Sequence, residues 1–257
     1  MVYFVGAGCG APDLITVRGM RLLAQADVVI YAGSLVNPAL LDYAPEGCVF
    51  HNSAVMTLEQ VISCMTAAET EGKTTVRLHT GDPCLYGAIR EQMDRLSGLG
   101  IAYDYCPGVS AFCGAAAALK AEYTLPEVSQ TVIITRMAGR TPVPDKERIR
   151  SLAAHRATMV IFLSTGMLAE LSRELIAGGY DGDCPAAIVY KASWPEEQIC
   201  RCTVAALADT AKAAGITKTA LIVVGHFLGD DYAMSRLYDA HFETEFRKCR
   251  HFEGENQ

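Results

Sequence analysis

The sequence lacks the features that place a protein in a membrane, outside the cell or on nucleic acid. No apolar run reaches the roughly 18 residues that a membrane-spanning helix needs. The chain has 29 acidic and 22 basic residues, a net charge of −7, whereas nucleic-acid binding usually needs a basic face. The first apolar run, residues 2–5, is only strand-sized and precedes glycines, so we expect no secretory signal. These absences predict a cytoplasmic protein with neither a membrane nor a nucleic-acid partner.

Metal-binding and nucleophile signatures are also missing. None of the ten cysteines forms a C-x-x-C pair, and only Cys200 and Cys202 are close in sequence. On a strand these two would share a face, which is weak support for a zinc site. We expect small, reduced, buried thiols and no metal. No Ser-His-Asp or Cys-His signature of covalent catalysis is present either.

Strand-sized apolar runs alternate with helical patterns along most of the 257 residues. Such alternation predicts a parallel sheet with helices on both faces. Residues 120–130 contain Pro126 and show little periodicity, so we place a domain boundary there. The predicted fold class is α/β, with two α/β domains over residues 1–120 and 121–245 and a polar tail over 246–257. The predicted strands are 2–5, 28–31, 48–50, 74–78, 101–105, 131–135, 158–163, 186–189, 198–202 (antiparallel) and 220–224; the predicted helices are 16–26, 57–70, 88–96, 110–119, 146–154, 167–177 and 204–213.

A loop with the character of a binding site follows the fourth predicted strand, where residues 79–87 read HTGDPCLYG. Gly81 permits backbone angles closed to other residues and Pro83 fixes its own φ, so the strand stops abruptly. Open α/β sheets bind ligands at the carboxyl ends of strands. Asp82 can contact a ligand there, or it can accept hydrogen bonds from the amides of its own turn. His79 is expected to be a structural histidine with its hydrogen bonds satisfied.

The loop after the first strand, residues 6–11, reads GAGCGA and is called the glycine loop below. It fits the G-x-G-x-x-A fingerprint of dinucleotide-binding proteins. However, Pro12 and Asp13 delay the next helix to about Thr16, and no acid follows the second strand to hold a ribose. We interpret the loop as a binding loop for something other than a dinucleotide, with a packing-only turn as the alternative.

Three segments in this order, residues 4–18 (FVGAGCGAPDLITVR), 80–87 (TGDPCLYG) and 107–110 (PGVS), resemble the tetrapyrrole methylases. These enzymes methylate ring carbons from S-adenosylmethionine, and the similarity extends through residues 220–225 (ALIVVG). Residues 31–41 (YAGSLVNPALL) are similar to the precorrin-4 C-11 methyltransferase subgroup of cobalamin biosynthesis. The other methylases considered are those for uroporphyrinogen-III, other precorrins, diphthine and ribosomal RNA. A nucleotide-binding protein without catalysis is the remaining alternative.

The resemblance implies a homodimer that holds S-adenosylmethionine in a cleft between its two domains and acts on a tetrapyrrole. The positions that match donor contacts are Cys9, Thr80, Gly81, Asp82, Leu85, Ser110, Ala111, Leu163, Ala192 and Ala220. Uroporphyrinogen methyltransferases carry an aspartate and an arginine directly after the tyrosine of the second strand, where this chain has Ala32 and Gly33. No catalytic base can therefore be assigned from the family.

The implied substrate carries several carboxylates, which arginine binds best because its guanidinium can donate two parallel hydrogen bonds. The candidate substrate-binding residues are Arg18, Tyr31, Ser34, Tyr86, Arg136 and Arg140. The alternatives are solvated surface arginines and, for Tyr86, simple packing. The sulfonium methyl group is already activated, so the enzyme has mainly to align two reactants, which can supply about 7–11 kcal/mol.

Overall fold

The computed structural model of the protein describes residues 1–239 and 241–248, which form two five-stranded sheets. The first sheet is entirely parallel, with strand order β3-β2-β4-β1-β5. The predicted parallel sheet is therefore confirmed, and each predicted strand lies within two residues of an observed one. The strands are β1 (Val2–Gly6), β2 (Val28–Tyr31), β3 (Val49–Asn52), β4 (Thr75–His79) and β5 (Tyr103–Cys106).

Helices cover both faces of the first sheet. Helix α1 (Val17–Leu23) and a 3-10 helix (Pro38–Tyr43) pack on one face, and α2 (Leu58–Thr70) and α3 (Arg90–Gly98) pack on the other. Thr57 caps α2: its hydroxyl accepts a hydrogen bond from the Gln60 amide, and the Gln60 side chain accepts one from the Thr57 amide. Both layers of this half therefore follow from local patterns.

The second sheet is mixed, with strand order β6-β7-β10-β8-β9. Among neighbouring strands only β6 and β7 pair in parallel; β10 is antiparallel to both of its neighbours, and β9 pairs antiparallel with β8 as predicted. The direction of β10 was not predicted. The elements are β6 (Val132–Arg136), β7 (Thr158–Phe162), β8 (Pro185–Tyr190), β9 (Gln198–Thr203) and β10 (Ala220–Val224), with helices α5 (Ile149–Ala153), α6 (Leu168–Gly178) and α7 (Leu207–Ala213) on one face.

Helix α4 (Ala111–Leu119) joins the two sheets. It follows the last strand of the first sheet, yet its buried Ala115 and Leu119 share a core with β7, β8 and β10 of the second. The Arg201 guanidinium also donates to the Leu119 carbonyl across 3.0 Å. Because this helix packs on the second sheet, the limits 1–120 and 121–245 stay a prediction. Of the predicted tail, only residues 246–248 lie in the described part of the structure. Among all the described residues, no helix has the length and apolar character needed to span a membrane.

The loops that follow β1, β4 and β5 meet backbone to backbone. A Cβ atom built on Gly6 would lie 2.5 Å from the Cα of Gly108, and one built on Gly108 would lie 2.3 Å from the carbonyl oxygen of Gly81. Real Cβ atoms do not approach backbone atoms this closely. These three strands are neighbours in the sheet, so their loops can take this arrangement only with glycine at the contact.

We expect Gly108→Ala to destabilise the fold by about 3 kcal/mol or more, because the new methyl group meets backbone that cannot move aside. The matched control is Gly98→Ala in α3, where a Cβ atom would meet nothing within 4 Å. That control should gain about 0.5–1 kcal/mol from helix propensity. Urea unfolding of both variants measures the difference, and equal stabilities would contradict the close-contact interpretation.

Candidate functional site

The three sequence motifs come together at the carboxyl ends of β1, β4 and β5. The Gly81 amide donates to the Gly8 carbonyl across 2.8 Å, and the Gly8 amide donates to the Gly81 carbonyl across 3.2 Å. A Cβ atom on Gly81 would lie 3.3 Å from the amide nitrogen of Ala111 and 3.5 Å from the Cα of Ser110. The predicted donor-binding positions of the first domain are thus neighbours in space, although they are far apart in sequence.

Asp82 connects the loop after β4 to the loop after β5. Its Oδ1 atom accepts hydrogen bonds from the Cys84 amide at 2.8 Å and from the Tyr105 hydroxyl, and its Oδ2 atom accepts one from the Gly108 amide at 2.8 Å. The carboxylate therefore bonds its own turn, which was one of the two interpretations considered. It also bonds the neighbouring loop, which the sequence did not indicate.

The hydrogen bonds to Asp82 determine its charge state. Burial alone would raise the pKa of this carboxyl, but the hydrogen bonds from Cys84, Tyr105 and Gly108 favour the anion and hold the pKa below its ordinary value. The pKa of Tyr105 is raised, first by burial and then by its bond to the Asp82 anion. Asp82 is consequently a fixed anion at neutral pH that holds two loops together.

The glycine loop does not have the geometry of a dinucleotide site. No α-helix starts within it: a 3-10 helix occupies Pro12–Leu14, and α1 begins after Thr16, whose side chain accepts the Gly19 amide at 3.0 Å. The amides of Ala7, Gly8 and Ala11 donate to protein oxygens. Amides engaged in this way are not free to bind a pyrophosphate.

One edge of the second sheet brings together the predicted positions of the second domain. Ile222 pairs with Ile161, and the Thr165 hydroxyl donates to the Ala220 carbonyl at 3.1 Å, so Ala220 lies beside the segment that follows β7 and contains Leu163. Ala220 also pairs with Tyr190 at the end of β8, two residues before Ala192. This grouping requires β10 to run antiparallel, so only the tertiary structure could establish it.

Leu163 is unusual in two respects. Its side chain is 66% exposed although it is apolar, and its φ of +53° lies in the left-handed region that is costly for residues other than glycine. The next residues anchor it: the Ser164 hydroxyl accepts the Met137 amide at 2.9 Å, and the Thr165 hydroxyl donates to the Ala220 carbonyl at 3.1 Å. Exposed apolar groups on strained backbone are typical of ligand-binding loops.

The two halves touch where the segment after β8 meets the glycine loop. The Ser193 hydroxyl accepts the Ala11 amide at 3.0 Å and lies 3.4 Å from the Cys9 sulfur. A Cβ atom on Gly10 would lie 2.2 Å from the Trp194 ring. Trp194, which follows β8 in the second domain, therefore contacts the first domain. Ser193 was missed, because no local pattern marks a contact between residues so distant in sequence.

Cys9 is buried beneath α4 and beside Ala192. A Cβ atom on Gly114 of α4 would lie 2.7 Å from the Cys9 sulfur and 3.4 Å from the Cβ of Ala192. Two predicted donor-binding positions, one from each domain, therefore flank the same small residue of the joining helix.

Tyr86 lies in the loop after β4 and reaches across to the second domain. Its ring lies 5.5 Å from that of Phe162, and its φ of +58° is again left-handed. Together with Arg136 and the Pro142–Pro144 segment, Tyr86 lines a cavity of about 340 Å³. The structure thus places two predicted substrate residues, from different motifs, in one cavity. Thr80 is exposed and Leu85 is half-buried on the same loop.

The predicted arginines differ in their surroundings. The Arg136 guanidinium donates to the carbonyls of Met137, Thr141 and Pro142 at 2.8–3.2 Å, so it shapes its own loop. Arg18 and Arg140 are exposed. Tyr31 is half-buried and its carbonyl accepts the Ser53 hydroxyl at 3.0 Å. Ser34 lies in a short 3-10 helix, and its side chain is outside the described part of the structure.

His79 does not match the expectation of a satisfied histidine. It is buried to 5% exposure, and its Nε2 atom has no hydrogen-bond partner among the described residues. Burial, and then the nearby Arg77 guanidinium, lower its pKa to about 3. The ring is therefore neutral at physiological pH and stacks on Phe4 at 6.4 Å. Among the described residues no cluster of three or more His, Cys, Asp or Glu side chains could hold a metal ion.

We expect Asp82→Asn to lower the midpoint of thermal unfolding by about 2–4 °C at pH 7, roughly the net worth of one hydrogen bond. Because the folded-state pKa of Asp82 is depressed, its contribution is complete above the unfolded pKa and is lost as the pH falls through the folded value. The difference in unfolding midpoint between wild type and variant, called the gap here, should therefore be constant at pH 5–7 and should shrink below about pH 4. Melting curves from pH 7 to pH 3 measure it; a gap that widens on acidification would contradict the assignment.

Comparison with known proteins agrees with this geometry. The family model for tetrapyrrole (corrin/porphyrin) methylases matches residues 1–208. The chain is similar to the cobalt-precorrin-4 C(11)-methyltransferase of Methanocaldococcus jannaschii, with 54% identity over 248 residues and 96% of each chain covered.

Two solved structures share the fold. A cobalt precorrin-4 methyltransferase has a TM-score of 0.87 at 46% identity, covering 89% of this chain and 96% of that one. A uroporphyrin-III C-methyltransferase from Thermus thermophilus, complexed with S-adenosylhomocysteine, has a TM-score of 0.73 at 26% identity, covering 88% and 92%. The chain therefore belongs to the tetrapyrrole (corrin/porphyrin) methylases.

Proposed function

We propose that this chain transfers the methyl group of S-adenosylmethionine to C-11 of precorrin-4 or of its cobalt complex, in the biosynthesis of cobalamin. The observation that carries the proposal is the meeting of the three motif loops with one another, and of the glycine loop with residues 192–194 of the second domain. The high identity to relatives named for this reaction supports the choice of substrate. We also propose that the protein works as a cytoplasmic homodimer with no nucleic-acid or membrane partner.

The residues that face the cleft fit the methyl donor. Gly81 has no side chain and Ala111, Ala192 and Ala220 have small ones, which leaves room beside the backbone for a nucleoside and its amino-acid tail. The exposed Leu163 side chain offers an apolar surface for a flat ring, which would explain why an apolar residue is held in the open. Thr80 adds an exposed hydroxyl.

The chain's own contribution to the reaction is alignment. When bound, the donor supplies a methyl group already activated by the positive sulfur, so no covalent nucleophile is required of the protein. The Asp82 carboxylate accepts hydrogen bonds from Cys84, Tyr105 and Gly108. It thereby holds the loop after β4 at a fixed distance from the loop after β5. Placing two reactants about 3 Å apart in this way can supply about 7–11 kcal/mol of the barrier.

Substrate binding divides between the two domains. Tyr86 presents a partly exposed ring at the cavity that Arg136 shapes with its loop. Arg18 and Arg140 are exposed, and we assign the peripheral carboxylates of the macrocycle to them. Tyr31 and Ser34, at the end of β2, border the cleft on the side of the first domain.

Calorimetry should show that S-adenosylhomocysteine binds to the protein and that a dinucleotide does not, because the amides of Ala7, Gly8 and Ala11 in the glycine loop are already engaged. Labelled S-adenosylmethionine should then transfer label to a tetrapyrrole whose C-11 is unmethylated. Transfer of label to ribosomal RNA, to a protein or to uroporphyrinogen-III, with none to that tetrapyrrole, would refute the proposed function.

Leu163→Gln should weaken S-adenosylhomocysteine binding at least about tenfold while changing stability by less than about 0.5 kcal/mol, since the side chain is exposed. The control is Leu99→Gln, an exposed leucine after α3, at the opposite end of the first sheet. Calorimetric titration and urea unfolding of both variants test this. Equal affinity of the two variants for S-adenosylhomocysteine would show that Leu163 does not contact the donor.

A further inference from the structure

Two side chains hold the glycine loop from opposite sides. Asn37, from the first domain, donates from Nδ2 to the Gly10 carbonyl at 3.0 Å. Ser193, from the second domain, accepts the Ala11 amide at 3.0 Å through its hydroxyl. The segment between them, residues 9–11, includes Cys9, which is matched to the donor site. Both contacts reach beyond their own segments, one over 27 positions in sequence and the other over 182.

The second-domain contact is rigidly built. Lys191 and Ser193 both have left-handed backbone angles, with φ of +47° and +64°. Such angles persist in non-glycine residues only when the surroundings enforce them. Here the Ser193 amide donates to Glu197 Oε2 at 2.6 Å, and the Lys191 ammonium lies 4.8 Å from the centre of the Trp194 ring. These bonds aim the Ser193 hydroxyl at the glycine loop.

The first-domain contact is equally fixed. The Oδ1 atom of Asn37 caps the following 3-10 helix by accepting the Ala39 amide at 3.1 Å. That helix is anchored by Leu40, which is almost completely buried. With Oδ1 held by the cap, Nδ2 can point only toward the Gly10 carbonyl. The side chain thus ties residues 31–41, the stretch similar to the C-11 subgroup, to the glycine loop.

We propose that Asn37 and Ser193 are positioning residues for methyl transfer, which clamp residues 9–11 of the glycine loop between the two domains. This inference rests on the proposed function. The other side of the loop is held independently, by the backbone bonds of Gly8 with Gly81 and of Ala7 with His79. Loss of either clamp bond therefore leaves the fold in place but frees the part of the loop beside the donor and acceptor. Misplacement of about 1 Å can cost about a hundredfold in rate, so small shifts matter here.

The test compares Ser193→Ala and Asn37→Asp with wild type. The aspartate keeps the cap on Ala39 and replaces the donor to the Gly10 carbonyl with a negatively charged acceptor oxygen. The control is Ser129→Ala: the Ser129 hydroxyl accepts the Thr158 amide at 3.0 Å, a bond of the same kind and length away from the glycine loop, and it also donates to the Thr131 carbonyl at 2.9 Å. Rates are measured with labelled S-adenosylmethionine and the C-11-unmethylated tetrapyrrole. They are normalised to the folded fraction given by S-adenosylhomocysteine titration.

We expect Ser193→Ala and Asn37→Asp each to lower kcat about tenfold, with KM for the donor changed less than about threefold. Ser129→Ala should lower Tm by a similar amount and leave kcat unchanged. Because both bonds restrain the same segment, the effects of the two clamp substitutions should not multiply in the double variant.

Two results would overturn the inference while the proposed function stands: kcat values for both clamp variants equal to that of Ser129→Ala, or effects that multiply in the double variant. A wild-type chain that binds S-adenosylhomocysteine but transfers no methyl group to the tetrapyrrole would overturn both proposals. The two failures are therefore distinguishable.

Discussion

The contact among Gly6, Gly81 and Gly108 is the constraint on which the site depends. Three neighbouring parallel strands end at the same edge, and their loops approach until no side chain fits between them. This closeness allows Gly8 and Gly81 to exchange backbone hydrogen bonds. It also brings the Gly108 amide within reach of Asp82. The three family motifs are therefore one structural unit, and glycine recurs in them for a steric reason.

The second requirement is a wall that faces this unit, and helix α4 supplies the connection. By packing on the second sheet, α4 brings the residues that follow β8 beside the glycine loop. The antiparallel β10 then places Ala220 opposite Tyr190 and beside the segment that contains Leu163. Ser193 and Trp194 close the contact. A cleft between two rigid walls suits a reaction in which alignment, and not a reactive side chain, lowers the barrier.

Charged groups near the cleft have structural roles that cannot be recognised from the neighbouring sequence. Asp82 holds two loops together, and Arg136 binds the carbonyls of its own loop. His79 is kept neutral by burial and by the neighbouring Arg77. An aspartate or arginine at the end of a strand is thus ambiguous in sequence. Its role depends on whether other protein groups already occupy its hydrogen-bonding atoms.

The sequence by itself determined the strands, most of the helices and the parallel first sheet, because these depend on local periodicity and on glycine and proline at turns. The family followed from the resemblance of its motifs. The sequence could not determine the direction of β10, the packing of α4, the partners of Asp82 or the Ser193 contact. The hydrophobic pattern of a sequence indicates that a residue is buried, but it does not indicate which residues pack against it. Those features depend on groups distant in the chain, such as Ala11 and Ser193, which only the folded arrangement of two sheets brings within hydrogen-bonding distance.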